Sequence, residues 1–460
     1  MSQTSEPGYQ GKWLVLIAIG IGTFMSALDG SVVNTTLPII TRQLNSSVAA
    51  AEWVVTIYLL VLSGLLLSFG RLGDLQGHKR VYLAGFAIFV ISSALCGLAP
   101  SVSALVACRA VQALGAAMLS ANSPAILTKS FPPRQRGQAL GLQATMTYLG
   151  LTVGPSLGGW LTEAFSWRAV FYINVPVGVI ALLLSWRFIA ADHPGQASER
   201  FDVKGAAAFM LGLAALLFGL NQGHALGWGS PVILLSLAAA LALLALFIYL
   251  QRSVPAPMLD LSLFRSGVFS SSVISAILNY ICVYTVTFMM PYYLLQGRGF
   301  SPSQAGLVLT AMPVVMAIVA PLSGTLSDRI GARLPAVTGM LLLALGLFLL
   351  SGLSLETSTA GIAVRLAVTG LGTGIFISPN TSALMGAAPR GRQGIASGIL
   401  ATSRNVGMVL GVGIAGAIFT SLAGAAAHLD PAAVVLGVSR ACLAASGIAA
   451  LGLVFAALKS

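Results

Sequence analysis

Asp29 is the one carboxylate in the apolar run from Trp13 to Ile40, and an acid there has few roles open to it. At the centre of a spanning helix an aspartate costs about 2.5–3.5 kcal/mol on insertion scales, so it normally faces water, a cation or a proton. Such a residue can take up a proton when buried and release it when water returns. Capping or pairing inside a helix bundle is the structural alternative. A second apolar run carries Arg109, with Gln112 and Ala116 on the same face by their i, i+3, i+7 spacing. An arginine at that depth needs an acceptor or water, and Asp29 is the carboxylate well inside the N-terminal half. Contact with Asp29 and snorkelling of Arg109 to the boundary are both open.

The elements that must hold these groups are apolar helices. The chain has 460 residues, of which 57% are hydrophobic and 8% charged, with mean hydropathy +0.92. Soluble domains carry about 25% charged residues, so this composition describes an all-α integral membrane protein. The net charge of +12 sits in short loops between apolar segments, which is the pattern of membrane topology and not of a nucleic-acid face. Cys96, Cys108, Cys282 and Cys442 lack metal-ligand or C-x-x-C spacing. No phosphate loop, Ser/His/Asp set or metal cluster appears in a span, and His78, His193, His224 and His428 fall in expected loops. No enzyme activity, metal or cofactor is expected.

Apolar stretches of spanning length run from 13–38 to 436–458, fourteen in all, so both termini lie on one side. With the N-terminus inside, seventeen of the 24 Lys and Arg fall on the cytoplasmic side and four on the other. That bias places both termini in the cytoplasm. The first segment is too long for a cleaved signal and contains Asp29 and Asn34, so it reads as a retained span.

The chain also repeats itself. Gly70, Asp74 and Gly77 recur as Gly324, Asp328 and Gly331, and Arg109, Arg134 and Arg136 recur as Arg365, Arg390 and Arg392. The offsets, 254 and 256 residues, are nearly equal and indicate two related halves. The expected organisation is a six-helix half at 1–190, connectors with two extra central helices at 191–266, and a second six-helix half at 267–460.

Five segments carry distinct physical signals: LDGSVVNTTLP at 28–38, GRLGDLQGHKR at 70–80, RAVQALGAA at 109–117, GLTVGPSLGG at 150–159 and WRAVFYINVPVG at 167–178. In the loop at 70–80, Gly70 and Gly77 permit a tight turn, and Asp74 stands among Arg71, Lys79 and Arg80, a set able to form a charge latch between spans. Gly150, Gly154 and Gly158 form a stripe without side chains, with Pro155 and Gly159 beside it, on which another helix can pack closely. By these segments, in this order, nearly the whole chain resembles the major facilitator superfamily, and within it the fourteen-span drug:proton antiporters. The resemblance implies the major facilitator fold, a cytoplasmic gate at 70–80, a proton-handling region containing Arg109 near the first span, and export through the glycine motif.

Aromatic and thioether side chains suit varied amphipathic ligands, and Tyr280, Tyr284 and Phe288 supply such a wall beside Asn279 in the run 268–295. Packing or lipid contact is the plainer reading of that stripe. Asn34, Gln112 and Arg404 complete the candidate cavity, Arg404 either lining it or bonding a carbonyl. Glu52 and Glu163 read as interfacial residues near the outer ends of their spans. Asp260, Glu356 and Asp430 map to loops or span ends, so the second half offers no coupling carboxylate. The expected function is proton-coupled export of small amphipathic drugs or antibiotics from a monomer in the bacterial inner membrane. It would be driven by the proton gradient, with small-molecule substrate, protons and lipid as its partners. A dedicated exporter of one metabolite, an uptake symporter and a lipid-handling protein on the same fold are the alternatives.

Overall fold

The computed structural model describes residues 11–132, 135–190, 202–253, 259, 261–389, 393–423 and 430–458, and among them every regular element is a helix. The first half runs α1 (Lys12–Gln43), α2 (Val48–Gln76), α3 (His78–Leu98), α4 (Val102–Ser130), α5 (Arg136–Ala164), the single turn α6 (Ala169–Tyr172) and α7 (Asn174–Phe188). Two central helices follow, α8 (Val203–Leu226) and α9 (Pro231–Ser253). The second half runs α10 (Gly267–Tyr292), α11 (Pro302–Leu309), α12 (Ala311–Ile330), α13 (Arg333–Ser351), α14 (Thr359–Ala387), α15 (Gln393–Ala423) and α16 (Pro431–Ala457). Helix starts follow local chemistry. Ser47, Ser101, Ser266 and Ser358 each accept a hydrogen bond from the N–H three residues on, which pairs a donor the helix leaves unused.

Among the described residues thirteen helical segments are long and apolar enough to cross a bilayer, and the chain is a multi-pass membrane protein. The expected span at 138–162 is the 29-residue α5, which carries Gln138, Gln143, Thr145 and Thr147 and is not among the thirteen. The expected span at 302–323 is met by Pro302–Ser327, in which α11 passes into α12 through a turn at Thr310. His78 corrects the expectation that all four histidines lie in loops. It opens α3 in a buried position, with Nδ1 2.7 Å from Asn122 Oδ1. His224 lies within α8, whereas His193 and His428 are outside the described residues.

Helix neighbours recur between the halves. The pairs α1–α5, α2–α4, α3–α4, α3–α7 and α1–α7 have counterparts in α10–α15, α12–α14, α13–α14, α13–α16 and α10–α16. The glycines of the repeated loop match too. Gly77 has φ 96° and Gly331 φ 85°, a region costly for any residue with a Cβ, so both positions need glycine. Gly154 and Gly158 bring α5 onto Ser31 and Val32 of α1, and Gly407 and Gly411 bring α15 onto Ile277 and Ile281 of α10.

The halves meet along α5–α11, α2–α15 and α1–α10. At one end of the bundle this seam is backbone against backbone: a Cβ on Gly159 would lie 2.2 Å from Pro302 O, and one on Gly306 2.2 Å from Pro155 O. Ser156 and Thr310 are joined by a 2.7 Å hydrogen bond between their hydroxyls. Helix α8 lies against both α2 and α15, with Met210 over Gly64 and Leu217 beside Gly413, so the central pair touches both halves.

Candidate functional site

Asp29 lies within α1, held at the right height by Gly150 and Gly154 of α5, which pack against α1 on either side of it. Its carboxylate is 1% exposed and is met by three side chains. Arg109 Nη1 donates to Oδ2 at 2.6 Å, while Gln112 Nε2 and Asn174 Nδ2 donate to Oδ1 at 3.1 and 2.8 Å. Arg109 thus reaches Asp29 rather than snorkelling to the boundary. Its Nη1 also donates to Gln112 Oε1 at 2.6 Å, and its Nε donates to Val54 O at 3.2 Å. Gln112 Nε2 donates in turn to Ser93 Oγ at 2.6 Å. Tyr58 of α2 places its ring 4.0 Å from the guanidinium carbon, a cation–π contact in a water-poor setting. Five helices therefore converge on one ion pair, and its polar atoms are matched in charge and in hydrogen bonding.

Such a cluster can do acid–base work. A buried pair stripped of one partner is strongly destabilised, so a proton arriving on Asp29 removes the reason for Arg109 to stay. The repeat-related arginine shows the contrast: Arg365 donates to Gly352 O at 3.1 Å, in the turn after α13, and has no carboxylate partner among the described residues.

The remaining candidates divide. Asn34 is buried and donates to Gly30 O within α1, and Gln112 belongs to the Asp29 cluster. Asn279 is turned away from any shared cavity, with Nδ2 3.6 Å from Met340 Sδ of α13, because its position on α10 faces that helix. Phe288 is buried edge-to-face on Tyr292 with ring centroids 5.6 Å apart, so it packs rather than presenting an open wall. Tyr280, Tyr284 and Arg404 are half-buried. The expected loop at 70–80 is helix on both sides of one turn at Gly77, because Gly70 lies within α2, where it faces Ala121 and makes no turn; Lys79 Nζ of α3 donates to Trp186 O and Ile189 O at the end of α7, and Arg80 is exposed. The side chains of Arg71 and Asp74 lie outside the described residues.

Two carboxylates correct the sequence reading. Glu52 is 1% exposed rather than interfacial, and a Cβ on Gly416 of α15 would lie 2.1 Å from its Oε2. Glu163 is exposed, as expected at a helix end, yet it reaches across the seam. Its Oε2 accepts from Ser303 N at 3.0 Å and from Ser301 Oγ at 3.2 Å, at the first turn of α11. Hydrogen bonds from Ser303 hold that carboxyl below the usual range. Asn174, Ser93 and Tyr58 were not singled out from sequence. Asn174 stands inside the quoted segment WRAVFYINVPVG, where a polar residue amid an apolar run was the available signal.

Residues 19–274 and 272–459 each match the sequence profile of the Major Facilitator Superfamily. The multidrug resistance protein Stp of Mycobacterium tuberculosis is 35% identical over 409 residues, covering 89% of this chain and 76% of that protein. The tetracenomycin C resistance and export protein of Streptomyces glaucescens is 32% identical over 425 residues, covering 92% and 79%. Among solved structures, a bacterial homolog to the human lysosomal transporter Spinster, in an inward-facing and unoccupied conformation, superposes with TM-score 0.72. Its identity is 17%, and the match covers 99% of this chain and 97% of that one.

Proposed function

The chain belongs to the Major Facilitator Superfamily and to its drug-efflux relatives, and we propose that it is a proton-coupled exporter of small amphipathic compounds. The observation that carries this reading is the buried Asp29–Arg109 pair, whose Nη1 to Oδ2 distance is 2.6 Å. In the state described, Asp29 is an ionised acceptor for three donors. Opening the seam at the Gly159 and Gly306 end would admit water and protons toward the pair. A proton on Asp29 would free Arg109 from its partner, loosening α4 from α1 and favouring the opposite access state. On return, loss of the proton would restore the pair. One proton moving down 100 mV supplies about 2.3 kcal/mol, enough to support a useful concentration ratio without ATP.

The basic loops give the orientation in this reading. The ends of α2, α4, α9 and α12 carrying Arg71, Lys129, Arg252 and Arg329 face the cytoplasm, and the seam at Glu163 faces outward. The protein then sits in the bacterial inner membrane with both termini in the cytoplasm, acts as a monomer and needs no cofactor beyond the proton gradient. The loop at 70–80 serves as the gate on the cytoplasmic side. There the buried bond between His78 and Asn122 ties the α2–α3 turn to α4.

The test is substrate-driven proton movement in proteoliposomes of known orientation with a pH dye inside, comparing wild type with Asp29→Asn. Flux in wild type that is lost in the variant supports antiport through Asp29. Equal flux in both assigns coupling elsewhere, and no flux with any compound removes the exporter reading.

A further inference from the structure

Arg404 lies inside a span of the second half, on α15, where the apolar segment runs from Gly398 to Ala423; Arg365 and Arg440 lie within the spans of α14 and α16. Its surroundings differ from those of Arg109. Among the described residues it makes no ion pair, and its Nε is buried without a hydrogen-bond partner. Among the described side chains the carboxylates of the second half stand elsewhere: Glu356 in the turn between α13 and α14, and Asp430 at the cap of α16. Glu52 meets α15 at Gly416, twelve residues further on, which is about 18 Å along the axis. Asp29 is already committed to Arg109.

Tyr280 and Tyr284 of α10 stand at the level of Arg404. A Cβ on Gly407, one turn along α15, would lie 2.6 Å from Ile277 O and 2.8 Å from Tyr280 Cβ, so α15 is pressed onto α10 at this level. Tyr284 stands next along α10, within electrostatic reach of both Arg404 and Tyr280. Tyr58 of the first half, stacked on Arg109, is in turn within reach of Tyr284. Electrostatic neighbours thus run from the Asp29–Arg109 pair through Tyr58 and Tyr284 to Arg404. The first pair is neutral, and Arg404 has no ion-pair partner among the described residues.

We propose that Arg404 is an anion subsite. On the exporter reading above, it receives the carboxylate or sulfonate of an amphipathic substrate whose flat body lies against Tyr280 and Tyr284. Arg404 is half-buried, and its Nε is buried without an acceptor inside an apolar bundle, which is costly; a partner that arrives and leaves offsets that cost. The planar guanidinium fork matches carboxylate and sulfonate oxygens two at a time, and tyrosine faces accept a flat apolar body. The substrates selected are aromatic anions rather than lipophilic cations, which the uncompensated charge repels.

The test uses 2-naphthalenesulfonate, the neutral 2-naphthalenesulfonamide and trimethyl-2-naphthylammonium. Each is titrated by calorimetry into the full-length protein in nanodiscs, as wild type, Arg404→Lys and Arg404→Gln. Expected is sulfonate binding to wild type at least about tenfold tighter than sulfonamide binding, a preference that is lost in Arg404→Gln and largely kept in Arg404→Lys. Sulfonamide binding that is equal in all three reports intact folding. The proposal is overturned if the sulfonate binds no better than the sulfonamide, including the case in which neither binds, or if Arg404→Gln weakens both alike. The same compounds in the proton-movement assay separate the two readings. Arg404-dependent sulfonate binding without proton flux would sink the exporter and leave the subsite. Flux driven by the ammonium compound equally in wild type and Arg404→Gln would leave the exporter and sink the subsite.

Discussion

Asn174 donates its side-chain N–H to Asp29 Oδ1 at 2.8 Å, joining the start of α7 to the middle of α1 across 145 residues of chain. It does not share a helix or a repeat signature with Asp29, yet it completes the carboxylate's set of donors. That makes it a positioning residue for whatever proton chemistry Asp29 performs. Asn174→Ala is expected to slow proton-coupled exchange by about tenfold, since one donor to the Asp29 carboxylate is lost. Asn174→Ser, which keeps a donor, should recover part of the rate. The check is flux in proteoliposomes per folded transporter: equal flux in wild type and Asn174→Ala would contradict the positioning role.

Breaking the Asp29–Arg109 pair from either side leaves one buried charge alone. Asp29→Asn or Arg109→Gln singly should destabilise the protein by about 3–5 kcal/mol, and Asp29→Asn with Arg109→Gln together by less than either alone. Thermal unfolding of the three variants in one detergent measures the order. A double variant less stable than both singles would contradict the pairing.

Gly159 and Gly306 hold the seam because backbone carbonyls of the opposite half occupy the space their side chains would take, at 2.2 Å in each case. Gly159→Ala or Gly306→Ala should force the seam apart at an overpacking cost of about 1–3 kcal/mol. Spin labels on α5 and α11 should then report a longer distance between the two halves at that end. A distance unchanged in both variants would mean that the seam is not closed by backbone contact.

Glu163 makes the same seam sensitive to acid. Its carboxyl is held below its ordinary value of 4.5 by hydrogen bonds from Ser303 on the other half, so the ionised form favours closure. That contribution is complete above 4.5 and is lost as pH falls through the lower value of the closed state. The spin-label distance in wild type should therefore lengthen in acid below that point. Glu163→Gln should give a distance at neutral pH that resembles the acid form of wild type and changes little with pH.

Much of this was legible in the sequence because it depends on period and composition. Apolar runs of bilayer length gave the helices, including the run at 302–323, which is one segment with a turn at Thr310. The positive φ of Gly77 and Gly331 is a local demand that only glycine meets well, so the repeated loop could be found by spacing. The stripe Gly150, Gly154 and Gly158 announced a close helix contact, since a face without side chains has no other evident use.

The partners of those features were not legible, because which residues meet across the bundle depends on the packing of helices that are far apart in the chain. Packing alone sends Gly154 to Ser31 and Gly159, five residues later, to Pro302 of the other half. It also decides that Asn279 turns to Met340, that Glu52 is buried on α15, and that Glu163 caps a helix of the opposite half. The sequence by itself determined a membrane bundle of two related halves with Asp29 and a few arginines inside it. Only the tertiary structure decided that Arg109 has a carboxylate within 2.6 Å and Arg404 has none among the described residues, because pairing depends on distance and the chain order of these residues does not encode it.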